Sequence, residues 1–152
     1  MDVVPLLQSQ FIEHMNSLYA EQYVDDQFTQ LQKLADESNP DFVFEVVTLF
    51  FQDSEKLIDN LTKALEQPVV DFNQVANHAH QFKGSSSSIG ANRVKNQCVK
   101  FRAYCEEQNR EGCVACLQDL QQEYFVLKKK FEFLFKIEQD IVNNGGTIPS
   151  RQ

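Results

Sequence analysis

The chain has 152 residues with 42% apolar side chains, 13 Phe and no Trp, which excludes a disordered chain and fits a single domain over residues 1–152. Its net charge of −8 argues against a nucleic-acid partner. No apolar run reaches the roughly 18 residues of a membrane span, and the N-terminus lacks a signal-peptide pattern, so no membrane association and an intracellular protein with reduced cysteines are expected.

Scarce glycine and proline, and the lack of any stretch that alternates apolar and polar residues, predict an all-α fold. We predict six helices. The first spans about residues 3–23, and the second is short and starts at a capping pair, Asp25-Asp26. These two N-terminal helices account for residues 1–37.

Four further helices are predicted within residues 39–142. The segment Ser38-Asn39-Pro40 is typical of a helix start, with proline at the first helical position, and we expect the third helix to begin there. The fourth helix is predicted over about residues 71–88, and its apolar stripe defines the side that faces the core.

The fifth helix is expected to start at a capping Asn92 and to end before a break at residues 109–112. The long sixth helix has a three-four alternation of apolar residues, interrupted only at Glu138, which is typical of a bundle seam. Residues 143–152 are predicted to form a loose tail. Short connections predict an antiparallel up-and-down four-helix bundle from the last four helices, with the two N-terminal helices packed on one end.

One stretch within the fourth helix carries chemistry: residues 80–90 read HQFKGSSSSIG. Lys83 and Gly84 lie three and four positions after His80 and share its helix face. Gly84 costs about 1 kcal/mol of helix propensity, which indicates that something approaches closely there. His80 lies about 120° from the centre of the apolar stripe, so we predict an exposed imidazole, which can act as a nucleophile toward phosphorus.

The surroundings of this histidine are basic. Residues 72–105 contain no Asp or Glu, although the chain as a whole is acidic. The five basic residues of this segment are Lys83, Arg93, Lys95, Lys100 and Arg102. Such a face predicts a negatively charged partner. Because no carboxylate or metal ligand accompanies the histidine, the partner has to supply most of the catalytic groups.

Other motifs receive less specific interpretations. His78 points nearly opposite to His80 on a helix and is not expected to chelate a metal with it. Cys113 and Cys116 form an isolated C-x-x-C pair without two further suitable ligands, so small core residues are predicted, with a thiol redox module as the alternative. Residues 84–90 lack the strand and lysine of a phosphate-binding loop.

Residues 80–91 (HQFKGSSSSIGA) and 93–96 (RVKN) resemble the histidine-containing phosphotransfer (HPt) proteins of the plant type that serves cytokinin signalling. The segments 38–42 (SNPDF) and 50–53 (FFQD) also match, so the resemblance covers essentially the whole chain. Phe82 stands where the family more often has Leu, a conservative apolar change.

The resemblance implies an HPt-type bundle that serves as a phosphorelay carrier and not as an enzyme. His80 would accept a phosphoryl group from the receiver-domain aspartate of a hybrid sensor histidine kinase and pass it to a response-regulator aspartate. The presence of His80 separates the chain from the family's pseudo-members, which lack the histidine. No cofactor is expected here, because Mg²⁺ belongs to the receiver domain. The resemblance further implies a monomer in cytoplasm and nucleus.

The partner contacts are expected to surround the histidine. Lys83 would stabilise the phosphohistidine or steer the receiver, and Gly84 would keep the approach open. Arg93, Lys95 and Arg102 are our own expectation for long-range steering. The full set of expected partner-binding residues is Lys83, Gly84, Gln81, Ser87, Arg93, Lys95 and Arg102. The alternative is a non-catalytic helical adaptor that binds receiver domains without taking up phosphate.

Overall fold

The computed structural model describes residues 2–35 and 38–149, and this part of the chain contains six α-helices and no strand. They are α1 (Val4–Ala20), α2 (Asp26–Lys33), α3 (Phe42–Leu65), α4 (Phe72–Ile89), α5 (Asn92–Glu106) and α6 (Arg110–Asn143). The prediction of an all-α fold is therefore confirmed. Among these helices, none has the length and apolar content that crossing a bilayer requires.

Helices α3 to α6 form the predicted four-helix bundle. Helix α4 packs on both α3 and α5, and α6 closes the bundle by packing on α5 and α3. The connections between consecutive helices are short, so neighbouring helices run antiparallel.

Aromatic side chains hold the centre of the bundle together. Phe50 of α3 lies between Phe82 of α4 and Tyr124 of α6, with ring centroids 6.4 Å and 6.3 Å away, respectively. Phe82 is fully buried, as is Phe101 of α5. Each such ring contributes about 1.5–3 kcal/mol through burial, so α4 is firmly anchored at the point where the histidine motif begins.

The two N-terminal helices pack at one end of the bundle, as predicted. Helix α1 packs along α6, and α2 packs on α4. The α1–α2 turn is joined to the α4–α5 turn because the Asp25 N–H donates to the Gly90 carbonyl at 3.0 Å and the Asn92 N–H donates to the Tyr23 carbonyl at 3.1 Å. Asp25 also caps α2 through its carboxylate, which confirms the predicted capping role.

The predicted start of α3 at Ser38-Asn39-Pro40 needs correction. The helix begins at Phe42, two residues after Pro40, and the N-cap residue Asp41 makes no side-chain capping bond. The Phe42 N–H instead donates to the Asn39 carbonyl at 3.1 Å, which closes a turn ahead of the helix. Proline therefore shapes the approach to α3 and does not occupy its first turn.

The starts of α5 and α6 also differ from expectation. Asn92 is the first residue of α5 and does not cap it, because its side-chain amide donates to the Gln22 carbonyl at 3.2 Å. Helix α6 starts at Arg110, earlier than predicted, since the Asn109 side chain accepts from the Gly112 N–H at 2.9 Å and caps the helix. Both asparagines thus serve polar contacts that the apolar pattern does not encode.

The predicted seam of α6 is confirmed. All of its apolar residues are buried, namely Cys113, Leu117, Leu120, Tyr124, Leu127, Phe131, Leu134 and Ile141. Ile137 is buried as well and fills the seam between Leu134 and Ile141, where the predicted alternation met Glu138. Glu138 is itself partly buried, and desolvation raises the pKa of its carboxyl to about 7.

The end of α6 contacts the start of α1. The Gly146 N–H donates to the Ile141 carbonyl at 2.9 Å, and Gly146 leaves no room for a Cβ beside Val4. The Gln8 side chain donates to the Thr147 carbonyl at 2.7 Å. Within the segment predicted as a loose tail, the residues up to 147 are therefore held against α1, and residues 150–152 lie outside the described part.

Glu138→Gln should remove a pH-dependent cost to stability. The folded state keeps the carboxyl protonated up to about pH 7, whereas the unfolded chain releases the proton near 4.5, so stability falls as pH rises between these values. We expect the glutamine variant to be more stable than the wild type by roughly 3 kcal/mol at pH 8 and nearly equal at pH 4.5. Urea unfolding at both pH values measures the difference.

The matched control is Glu132→Gln, an exposed glutamate on the same helix. It should change the free energy of unfolding by less than about 0.5 kcal/mol at either pH. Equal effects of the two substitutions at pH 8 would show that the overall negative charge, and not the buried carboxyl, determines the pH dependence.

Candidate functional site

His80 lies on the solvent-facing side of α4. Ala79 and Phe82 on either side of it are 1% and 0% exposed, and they fix the rotation of the helix in the bundle. The imidazole is exposed, which confirms the prediction from the helical wheel. Because the backbone is anchored by buried neighbours, the ring is presented from a rigid element and needs no ordering of the main chain before a partner binds.

Arg102 of α5 contacts the histidine directly. Its Nη1 lies 3.4 Å from Nδ1 of His80. Within the described part of the chain, Nε2 has no hydrogen-bond partner, and the residue as a whole is exposed. The sequence predicted only long-range steering for Arg102. The sequence already favours this contact, because α4 and α5 run antiparallel on either side of the turn at residues 90–91. His80 and Arg102 lie at similar distances from that turn and therefore face each other.

Gly84 leaves open space one helical turn after His80. A Cβ built at this position meets no atom within 4 Å, so the glycine is not required by packing inside the protein. Lys83 beside it is partly buried, and Gln81 is exposed next to the histidine. The bare surface over Gly84 is what the close-approach hypothesis requires.

The serine run after Gly84 is less open than the sequence suggested. Ser86 is fully buried in the bundle, and Ser87 is partly buried. The Ser85 hydroxyl donates to the Phe82 carbonyl at 3.2 Å, and the Ser88 hydroxyl donates to the Ser85 carbonyl at 2.8 Å. Small size permits these serines to fit a helix that packs tightly on α3 and α5, so only part of the run belongs to the exposed surface.

Arg93 does not serve the exposed basic face. Its Nη2 lies 2.7 Å from the Glu123 carboxylate of α6, and its guanidinium stacks over the Tyr23 ring at 4.3 Å. The hydrogen bond to Glu123 raises the pKa of Arg93. The expected steering role of Arg93 is therefore corrected to a structural one, because its charge is neutralised within the fold.

The other basic residues of the segment 72–105 remain available. Among the described residues, Lys83, Lys95, Lys100 and Arg102 form no ion pair. No carboxylate contacts the His80 ring there. The face around the histidine is consequently positive, in a protein whose total charge is negative.

The four cysteines are buried free thiols. Burial raises the pKa of Cys98 and Cys105 to about 12 and that of Cys116 to about 11, which disfavours the thiolate that redox chemistry requires. The Sγ atoms of Cys105 and Cys113 are 3.8 Å apart. The described residues contain no group of three or more potential metal ligands. The thiols are core residues, as predicted.

Comparisons with known proteins agree on one family. A family model of the Hpt domain matches residues 45–129. The chain is 56% identical over 150 residues to histidine-containing phosphotransfer protein 1 of Arabidopsis thaliana, with 99% of this chain and 97% of the relative covered. Among solved structures, the histidine-containing phosphotransfer protein MtHPt2 from Medicago truncatula matches with a TM-score of 0.90 at 52% identity, over 97% of this chain and 100% of that one.

Similarity also extends to relatives with a different name. The chain is 46% identical over 121 residues to pseudo histidine-containing phosphotransfer protein 5 of Oryza sativa subsp. japonica, with 80% of each chain covered. High sequence identity is thus found both to histidine-containing phosphotransfer proteins and to pseudo histidine-containing phosphotransfer proteins, so identity alone does not distinguish the two groups. The function has to be argued from the residues of the site.

Gly84→Ala should stabilise the protein. Alanine is the better helix former, and its methyl group meets no neighbour, so we expect the free energy of unfolding to rise by about 0.5–1 kcal/mol in urea titrations. The matched control is Gly90→Ala. Gly90 has φ 76°, and a Cβ there would lie 2.5 Å from the Phe28 nitrogen, so this variant should lose more than about 1 kcal/mol. A destabilised Gly84→Ala would contradict the open environment of the site.

Proposed function

Because the chain belongs to the Hpt-domain family of histidine-containing phosphotransfer proteins, which carry phosphoryl groups in two-component phosphorelays, we propose that His80 is its phosphoacceptor. Proteins of this family interact with receiver domains and response regulators. The observation that carries the proposal is the exposed His80 ring, whose Nε2 has no hydrogen-bond partner among the described residues, with empty space at Gly84 one helical turn away.

The proposed donor is the aspartyl phosphate of a receiver domain in a hybrid sensor histidine kinase. The Nε2 lone pair forms the N–P bond while the P–O bond to the donor aspartate breaks, and the carboxylate leaves. The phosphoryl group then passes to an aspartate of a response regulator by the same in-line exchange. We propose that the receiver domain brings the Mg²⁺ and the remaining catalytic groups, and that this chain acts as a phosphocarrier without a cofactor of its own.

Lys83 and Gly84 have separate roles in this proposal. Lys83 lies one turn from His80, where its ammonium can screen the oxygens of a phosphoryl group. Gly84 lets the receiver surface come close to the ring. Gln81 and Ser87 lie on the same helix as the histidine and are proposed to contact the docked partner.

The biological setting is also proposed. We propose a place in cytokinin signalling, which the resemblance of residues 80–96 to the plant type implies, and action in cytoplasm and nucleus. We propose a monomer, which would present His80 to one receiver domain at a time. Neither nucleic acid nor a membrane is part of the proposed activity. Lys95 and Arg102 are proposed to speed the encounter with an acidic receiver pocket, an effect that salt should weaken.

His80→Gln should abolish phosphate uptake. A receiver domain charged with labelled phosphate is mixed with the wild type or the variant, and acid-labile, base-stable label on protein is measured. Only the wild type should acquire label, because glutamine has no nucleophilic ring nitrogen. His78→Gln is the matched control on the same helix and should take up label normally. Binding that survives with no label on the folded wild type would favour the non-catalytic adaptor.

Gly84→Gln should slow transfer from a charged receiver domain by at least about tenfold, because a long side chain displaces the reacting groups from their required distance. Single-turnover transfer rates measure the effect. Gly84→Ala serves as the graded control, with a much smaller loss, since its methyl group occupies little of the open space. Normal transfer by the folded glutamine variant would contradict the close-approach role of Gly84.

A further inference from the structure

In the contact between Arg102 and His80, the arginine has to be the hydrogen-bond donor. A guanidinium offers only donors and keeps its charge, so the Nδ1 atom that it faces at 3.4 Å has to be the acceptor. A neutral imidazole then carries its hydrogen on Nε2. We propose that Arg102 is a positioning residue that holds Nδ1 of His80 as a hydrogen-bond acceptor and thereby prolongs the lifetime of a phosphoryl group on Nε2.

The surroundings leave the guanidinium available for this role. Among the described residues Arg102 forms no ion pair, not even with Glu106, which lies one turn later at the end of α5. The segment 72–105, which contains α4 and the rest of α5, has no carboxylate. Lys83 is the charged residue that shares the histidine's face on α4. From α2 and α3, the other helices packed on α4, no charged group is in contact with the ring in the described structure. Arg102 is thus the charged side chain in contact with Nδ1.

The role rests on the proposed transfer to Nε2. A ring that attacks through Nε2 carries its hydrogen on Nδ1. The tautomer that accepts from Arg102 carries its hydrogen on Nε2 instead, so before the attack it must lose that proton to water and take one up on Nδ1. When the N–P bond has formed, the ring is a cation, and its Nδ1 proton leaves to water. The neutral phosphoimidazole that remains has its one free lone pair on Nδ1, the atom that Arg102 faces. The contact therefore fits the phosphorylated ring.

Loss of the phosphoryl group to water requires the opposite proton step. A proton on Nδ1 makes the ring a better leaving group, the N–P bond breaks as a water oxygen bonds to phosphorus, and inorganic phosphate is released. A guanidinium beside Nδ1 donates to the unprotonated ring and repels the protonated one. Arg102 therefore disfavours the form of the ring that loses phosphate.

The test uses the full chain loaded with phosphoramidate, a chemical phosphoryl donor, so that no receiver domain is involved. A His78→Gln background leaves His80 as the exposed acceptor. Adding Arg102→Ala should shorten the phosphohistidine half-life at pH 7 by about fivefold, the effect of one ordinary hydrogen bond at an exposed site. The phosphohistidine hydrolyses faster as the pH falls, and in the alanine variant this acceleration should begin about 0.7 pH unit higher than with Arg102 present. A shift of that size is equivalent to the fivefold change in half-life.

Two further variants separate the contact from charge alone. Lys100→Ala removes the same charge from the same helix. The ammonium of Lys100 lies near enough to Cys116 to lower the pKa of that thiol, and in the described structure it is not in contact with the histidine ring. This variant should therefore change the half-life by less than about 1.5-fold. Arg102→Lys keeps a charged donor and should retain most of the wild-type half-life.

Each unfavourable result has a defined meaning. An unchanged half-life in Arg102→Ala, or equal shortening in Lys100→Ala, would overturn the positioning role. Failure of phosphoramidate to load His80 would contradict the open Nε2 on which the role depends. A normal Arg102 effect in a protein that accepts no phosphate from any receiver domain would preserve this inference and defeat the proposed function.

Discussion

Two backbone hydrogen bonds between distant turns determine where the functional face lies. They join Asp25 to the Gly90 carbonyl and Asn92 to the Tyr23 carbonyl. Gly90 has φ 76° and no space for a side chain, so the chain reverses within two residues and α5 returns beside α4. This register brings residue 102 opposite residue 80. The polar contact at the histidine is therefore a consequence of packing at the far end of both helices.

The division between scaffold and chemistry is unusually clear in this molecule. Aromatic packing beneath α4 holds the helix rigidly, while the reactive face consists of one imidazole, nearby cations and the space over Gly84. No carboxylate contacts the His80 ring in the described structure. In the proposed relay the partner contributes acidic and metal-binding groups, and the two proteins are complementary in charge and in function.

Helical periodicity was sufficient to predict the bundle, because each apolar stripe continues over several turns. Helix ends were less predictable. Asp25 does cap α2, but Ser38-Asn39-Pro40 does not open α3, since the Phe42 N–H bonds to a turn carbonyl instead. Arg93 shows the same limit for the site. Its partner Glu123 is 30 residues away in sequence, so a local count of charges assigns it to an exposed face that it does not serve.

The contact between the start of α1 and the end of α6 has a consequence for the topology of the chain. Val4 lies against Gly146, and Gln8 bonds to Thr147, so both described ends meet at the same place. A short linker can join them without crossing the molecule, and new ends can open in the exposed 66–69 connection between α3 and α4. Such a circularly permuted chain would keep the α4–α5 hairpin, and with it the histidine and its arginine, as one continuous segment.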